Sequence, residues 1–417
     1  MRASDYVNSD RLWANLMELA EIGAIDGGGV NRQALTREEF DARELCIQWA
    51  LKSNFRISQD KAGNIFFTLE GRDKSKAPIM TGSHLDSQPT GGKFDGAYGV
   101  VAGLEALSAI SESGICVDRG IEVVAWMNEE GSRFAPGMMG SEAFVGVRSI
   151  EQIEAVKDKN DISVAQELQK LHDRFSEINF VPLEREVFCF IETHIEQGPI
   201  LENCSTPIGA VTGIQGVRRM RVRISGEEAH AGTTPYSLRK DAMAEASKTI
   251  SSLYEVFSSD EEMRFTVGMF NPSPNVPSVV ASEVLFSIDL RHPETQILSS
   301  AEERVADILR NTLKTCKGEV WTIASADTIS FNQDVIKVIE VTADNLGLDC
   351  RRIFSGAGHD ARQMSYYCPS GMIFVPSKDG ISHNIKEYTS KDDLVAGAKV
   401  LCDTLINLVN MSDFETK

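Results

Sequence analysis

The sequence predicts an α/β fold with a mixed sheet, interrupted by a smaller ferredoxin-like α+β domain. Three observations carry that reading. Up to about residue 212, short continuous apolar runs such as "IEVVAW" alternate with helical periods, the pattern of strands covered by helices on both faces. From 213 to 326 the strands instead alternate polar with apolar residues, as in Arg219, Met220, Arg221, Val222, Arg223 and Ile224, which marks a sheet with one wet face. After 327 the first pattern returns. The expected organisation is a first part of a larger domain at 1–212, an inserted domain at 213–326 and a second part at 327–417. At 417 residues the chain is too long for one ordinary domain.

Taken in order, Ser9 opens a helix with Leu12, Trp13, Leu16 and Leu19 on one side. "TREEFDARELCIQWALKSN" begins with Thr36 and Glu39 at the spacing of a capping box. "GNIFFTLEG" and "APIMTGSH" read as strands, and "DGAYGVVAGLEALSAISES" as a helix packed closely through its small residues. "GIEVVAWMNEEG" and "VFCFI" read as buried strands. In the insertion come the strand "GVRRMRVRIS", a helix from Ser237 to about Ser258, and strands near "RFTVGMF" and "EVLFSIDLR". A helix from about Leu298 to Cys316 and the strand "EVWTIASA" complete the β-α-β-β-α-β order of a ferredoxin-like unit. "GMIFVPS" is then a buried strand, and a last helix runs from Lys391 to Asn410.

The formal net charge of −19 argues against nucleic acid and against anionic membrane surfaces as partners. No apolar run approaches the roughly 18 residues of a membrane helix, and the N-terminal stretch lacks the basic and apolar regions of a secretory signal. Eight cysteines without a C-x-x-C predict reduced thiols in a cytoplasmic protein.

Open α/β sheets place their sites at strand ends. "GSHLDS" puts His84 and Asp86 at the end of one strand, with Asp95 following through the glycine-rich "GGKFDG". "MNEEG" puts Glu129 and Glu130 at a second, "ETHIEQG" puts His194 at a third, and His383 lies beyond a fourth. A single histidine at a strand end is usually a satisfied polar residue, but four strand ends converging on imidazole and carboxylate point to a metal such as zinc, manganese, cobalt or nickel. Asp86 is placed to orient His84. One of Glu129 and Glu130 can bind metal while the other acts as general base, and Asp95 is the best candidate to bridge two ions. The chemistry implied is hydrolysis of an amide-like bond by metal-activated water. His359, in "SGAGHDA", stands at the start of a helix near the site; His172 and His292 are expected at the surface.

The segments "GSHLDSQPTGGKFDGAYGV", "NEEGSRF", "ETHIEQGPILE", "GEEAHAGTTP", "SIDLRHP", "SGAGHDA" and "MIFVPSKDGISHN" together resemble the hydantoinase/carbamoylase amidases, which belong with the dinuclear aminoacylase-type metallopeptidases. The resemblance spans nearly the whole chain. It implies a dinuclear-metal hydrolase domain with an inserted lid and dimerisation domain. His84 and His194 would hold one divalent ion and Glu130 and His383 the other, with Asp95 bridging. Glu129 would be general base and then proton donor. Gln215, His230 and Arg291 match substrate-holding positions, with Arg291 on the substrate carboxylate, and His359 is a further candidate contact. The family's substrate-binding Asn falls here in "NPSPNVPSVV", where Asn275 or Ser278 takes the place. The resemblance further implies a homodimer in which His230 reaches the neighbouring site. The implied substrate is an N-carbamoyl-L-amino acid or close analogue, with allantoate or a ureidoglycine-type compound as the alternative. A dipeptidase or aminoacylase fits less well, because His194 stands where those enzymes typically carry an acidic residue. A non-catalytic binding protein is disfavoured by the complete ligand set.

Overall fold

The computed structural model describes residues 2–414; Met1 and residues 415–417, the extremities of the expected first and third segments, lie outside the described residues. The chain divides into two compact units, one formed by the residues up to Thr212 together with those from Phe331 onward, the other by Gly213–Ser330.

The sheet of the first unit runs in the order Ile208–Ile214, Ser370–Val375, Cys189–Ile195, Ile79–His84, Ile121–Trp126, Ile65–Leu69, Arg56–Gln59 and Asn179–Phe180, with Cys350–Ser355 also paired to Ile208–Ile214. Its four central strands, Ser370–Val375, Cys189–Ile195, Ile79–His84 and Ile121–Trp126, are parallel, so their C-terminal ends share one edge. Antiparallel strands flank them on both sides, which makes the sheet mixed as expected.

Both faces are covered. On one, Gly103 of helix Ala97–Ser113 lies so close to Val123 and Thr81 that an added Cβ would meet Val123 at 2.9 Å. On the other, Trp126 packs edge-on to Phe144 and Phe190, at 5.3 and 6.1 Å between ring centroids. Positions 123 and 126 have opposite parity, so they must face opposite sides of the strand. Thr36 caps helix Arg37–Lys52 by accepting the Glu39 N–H at 3.3 Å, but the expected return bond from the Glu39 side chain is absent. That carboxylate turns instead to Arg43, one turn on, and the two form an ion pair with both side chains 2 % exposed. A buried guanidinium demands a carboxylate more than the exposed helix end does.

The second unit is an antiparallel sheet in the order Lys317–Ala326, Gly216–Ser225, Glu283–His292, with Arg264–Thr266 and Phe270–Ser273 both paired to the far edge of Glu283–His292. By chain order this is strand four, one, three, two, the ferredoxin-like arrangement, with the second strand broken in two. Helices Ala242–Phe257 and Thr295–Thr312 bury Met220, Val222, Ile224, Val284, Phe286 and Ile288. The first helix starts at Ala242 rather than Ser237, because Asp241 caps it by accepting the Ala244 N–H at 3.0 Å. Its C-terminal partner begins earlier than Leu298 and ends at Thr312. Near the start of the unit Ile329–Ser330 pairs with Ile214 and Gly213.

His292 corrects an expectation. It is 1 % exposed rather than at the surface, its Nδ1 accepting the Glu294 N–H at 2.9 Å. It shares the inward parity of Val284, Phe286, Ile288 and Leu290. His172 is half-buried, its ring centroid 5.0 Å from that of Phe180. Among the described residues no helix is long and apolar enough to cross a membrane.

Candidate metal centre

The shared strand edge of the first unit gathers His84, Asp95, Glu129, Glu130, His194 and His383. Strand Ile79–His84 ends on His84, and strand Cys189–Ile195 carries His194 one residue from its end. Asp95 comes back over the same edge because Gly96 turns the chain at φ 65° into helix Ala97–Ser113. A Cβ at Gly96 would lie 2.3 Å from the His84 ring, so only glycine fits there.

Asp95 is the hub. Its Oδ1 lies 3.2 Å from His194 Nε2 and 3.9 Å from His84 Nε2, while its Oδ2 lies 3.2 Å from His383 Nε2. His383 Nε2 is in turn 3.4 Å from Glu130 Oε2. Two groups of donors follow, His84 with Asp95 and His194, and Asp95 with Glu130 and His383, each with ligand atoms within 4.8 Å of one another. Two atoms each about 2.1 Å from one tetrahedral ion sit roughly 3.4 Å apart, which is the range observed. Each oxygen of Asp95 faces a different imidazole, the arrangement a bridging carboxylate requires.

The imidazoles are set for ligation. His84 Nδ1 bonds the Asp86 carbonyl at 2.9 Å and His194 Nδ1 bonds the Ile195 carbonyl at 2.8 Å, which leaves Nε2 of each toward Asp95. Asp86 was expected to orient His84 through its carboxylate. The bond comes from its main chain, with carboxylate Oδ1 3.6 Å away. The carboxylate instead accepts the N–H groups of Glu129 and Glu130 at 3.1 and 3.2 Å and so fixes the strand end that carries both acids. Glu129 Oε2 lies 3.6 Å from His84 Nε2, beside the first donor group and outside it.

The electrostatics call for cations. Burial, then the charge of Asp95, raises Glu130 to about 8. Burial and the nearby Asp360 and Glu130 raise Glu129 well above the usual carboxylate range. Burial raises Asp86 to about 6 and lifts Glu192 and Asp360 as well. Burial holds His84 down to about 4. Asp95 alone is pulled down, because the hydrogen bonds from His194 and His383 outweigh its burial. The hydrogen bonds to Asp95 raise His383 and, against its burial, His194 to about 9, so without metal the site holds protons that divalent ions would replace. The donor set fits divalent metal.

A further grouping, Glu192, His194 and His359, is satisfied from within. Glu192 accepts Ser83 Oγ–H at 2.6 Å and the Ala361 N–H at 2.9 Å, and His359 Nε2 bonds Ser355 Oγ at 2.9 Å. His359, a candidate substrate contact, is 2 % exposed with its ring centroid 4.5 Å from that of His194, so it packs behind that imidazole. Sequence reasoning missed the groups that hold the acids. Gln88 donates to both oxygens of Glu130, from N at 3.2 Å and Nε2 at 2.7 Å. Gln197 Nε2 donates to Asp95 Oδ2 at 3.0 Å, and Glu387 accepts two main-chain N–H groups beside Asp95. Gln197 and Gln88 lie next to motif residues; nothing else in one sequence singles them out.

The remaining candidates lie in the second unit, in two sets. Gln215 and Arg291 flank the end where Val217 pairs Arg291 and Gly216 pairs His292. Arg291 Nε donates to Asp289 Oδ1 at 2.9 Å, and its side chain is 32 % exposed. His230, Asn275 and Ser278 lie beyond the other end, where Ser225 pairs Glu283. His230 pairs Val279, the Ala231 N–H donates to the Ser278 carbonyl at 3.0 Å, and His230 and Asn275 are both exposed. Asn275 has φ 55°.

The profile of Peptidase family M20/M25/M40 matches residues 80–407. The chain is 36 % identical over 401 residues to an N-carbamoyl-L-amino-acid amidohydrolase of Rhizobium meliloti, covering 95 % of each chain. It is 35 % identical over 397 residues to an allantoate amidohydrolase of Bacillus subtilis (strain 168), covering 94 % of this chain and 95 % of that one. The crystal structure of a hydantoinase/carbamoylase family amidase from Burkholderia multivorans superposes with a TM-score of 0.92 at 38 % identity, covering 97 % of this chain and 99 % of the other.

Proposed function

The chain belongs to Peptidase family M20/M25/M40 and, within it, to the hydantoinase/carbamoylase amidases, and on that premise we propose that it hydrolyses the carbamoyl amide of an N-carbamoyl-L-amino acid or close analogue with two bound divalent ions. The observation that carries the proposal is Asp95, with one oxygen toward His84 and His194 and the other toward His383. His84 and His194 would hold one ion and Glu130 and His383 the other, zinc, manganese, cobalt or nickel by donor type. Such ions would supply positive charge that polarises the scissile carbonyl and acidifies water.

The chain's own residues do the rest. Glu129, beside the first donor group and outside both, takes a proton from the attacking water and returns it to the departing nitrogen. Arg291 grips the substrate carboxylate with its forked guanidinium, and Gln215 contacts the same substrate. Asn275 or Ser278 serves the ureido group, and His230 donates to the scissile carbonyl oxygen. His359 supports His194 from behind. The proposed assembly is a homodimer in which His230 reaches the neighbouring site; it is supported by Arg291 lying at one end of the strand pair Gly216–Ser225 and Glu283–His292 and His230 beyond the other. The inserted domain would serve as lid and dimerisation element. The eight cysteines are unpaired, which suits a reducing, cytoplasmic compartment.

Allantoate is the second reading, favoured by the Bacillus subtilis relative. It is also a ureido carboxylate, and the same ligands serve both. A panel of N-carbamoyl-L-amino acids, β-ureidopropionate and allantoate, read by ammonia release, tests the proposal. Turnover confined to dipeptides or N-acyl amino acids would replace it with a peptidase or aminoacylase.

A further inference from the structure

Glu387 is a buried carboxylate beside the centre for which the chemistry above has no use. It is 5 % exposed and lies four residues after His383. Its Oε1 accepts the N–H groups of Phe94 and Asp95 at 3.0 and 3.1 Å. Its Oε2 accepts the hydroxyl of Ser382 at 2.8 Å. That serine lies 3.4 Å from Asp95 Oδ2 and takes a bond from Gln197 Nε2 at 3.1 Å. Gly92 closes the contact from the other side, since a Cβ there would fall 2.0 Å from the Glu387 carboxylate. One side chain therefore joins the segment carrying Asp95 to the segment carrying His383, by bonds to main-chain groups that have no strand or helix partner of their own.

We propose that Glu387 is a positioning residue for the metal centre, a clasp that fixes the Asp95 main chain and the His383 loop at the spacing two ions require. The inference rests on the reading of Asp95 and His383 as metal ligands. His383 needs such support, because it sits at φ 51° with its side chain 50 % exposed, whereas Asp95 is 5 % exposed. Without the clasp the two segments have fewer reasons to hold their registry, and ligands that must be repositioned bind metal more weakly. The role requires an acceptor at Oε1, which glutamine retains. In Glu387→Gln the amide oxygen still receives both N–H groups. The amide NH₂ then faces Ser382 Oγ, which accepts from it and turns its own proton to Asp95.

The test is the rate at which purified, metal-loaded full-length protein loses its ions to excess chelator, read by elemental analysis after desalting. Thermal melting of the stripped proteins is recorded beside it. Glu387→Ala is expected to lose metal about 10–100-fold faster than wild type, and Glu387→Gln within about threefold of wild type. Wild-type release from Glu387→Ala overturns the inference, as does equal loss from Ala and Gln variants. If Glu387→Ala does not fold, Glu387→Asp decides, since its carboxylate is one methylene short; accelerated release is expected and wild-type release overturns the clasp. A wild-type protein that takes up no metal refutes the ligand assignment itself, so the two failures are distinguishable.

Discussion

Arg291 lies at one end of the strand pair Gly216–Ser225 and Glu283–His292, and His230 lies beyond the other, in a two-stranded ribbon with Val279. Arg291 pairs Val217, whereas His230 follows Ser225, the far end of the same strand. Eight residue steps of about 3.3 Å put roughly 26 Å between those ends. That is several times the length of an amino-acid substrate. If both residues serve one reaction, they come from different chains.

The relationship predicts complementation between inactive variants. His230→Ala and Glu129→Gln chains, each inactive alone, are mixed under conditions of subunit exchange. A mixed dimer then carries one site with both lesions and one with neither. About a quarter of full activity should return at equal mixing, half the dimers being mixed and each having one intact site of two. Exchange without recovered activity would place His230 in its own chain's site or outside catalysis.

Glu129→Gln should abolish turnover while sparing the ions. The side chain lies beside the first donor group, with Oε2 3.6 Å from His84 Nε2. Glutamine preserves its shape and removes its basicity. Loss of general-base catalysis alone costs about 10²–10⁴-fold in kcat. Elemental analysis should find metal content near wild type; loss of metal with activity would make Glu129 a ligand.

Removing the ions should cost stability as well as activity. Glu129, Glu130, Asp86, Glu192 and Asp360 are all raised by burial, and bound cations offset the repulsion among them. Ligands present at 100 times their Kd contribute about 2.7 kcal/mol per site. Stripped protein should therefore melt at a lower temperature and recover both melting point and activity with Mn²⁺, Co²⁺, Ni²⁺ or Zn²⁺. Content should approach two ions per chain in the active form.

The buried pair of Glu39 and Arg43, whose charges reach Asp86, predicts a stability effect. Glu39→Ala strands a guanidinium that is 2 % exposed and keeps only main-chain partners such as the Gly63 carbonyl. The expected loss is about 3–5 kcal/mol in urea unfolding. Replacing both residues, as in Glu39→Leu with Arg43→Met, should recover most of it. A loss under about 1 kcal/mol for Glu39→Ala would mean that water reaches the site.

Much of this was legible in the sequence because strand ends are legible. A continuous apolar run announces a buried parallel strand, and the polar residue that ends it must lie at the sheet edge, so His84, Glu129, Glu130 and His194 could be placed without coordinates. The ferredoxin-like insertion was legible for the complementary reason, its strands alternating where the others do not. His292 shows what a single label conceals. As a strand-end histidine it is expected at the surface, although its parity with Leu290 points it inward. The clasp at Glu387 and the Gln88 and Gln197 bonds were not legible. They depend on loops meeting across long chain separations, which no periodicity encodes. Asp86 is intermediate: its place was foreseen, and its carboxylate proved to serve the Glu129 and Glu130 main chain.

The most direct measurement is ammonia release from N-carbamoyl-L-amino acids by the same protein stripped of metal and then reloaded. The expected result is no release from stripped protein and sustained release, matched mole for mole by free amino acid, once divalent ions are restored. Allantoate and β-ureidopropionate run beside these rank the ureido substrates. Ammonia released at full rate by protein shown to hold no metal would contradict a metal-dependent amidohydrolase, and so would a reloaded protein that cleaves dipeptides and leaves every ureido substrate intact.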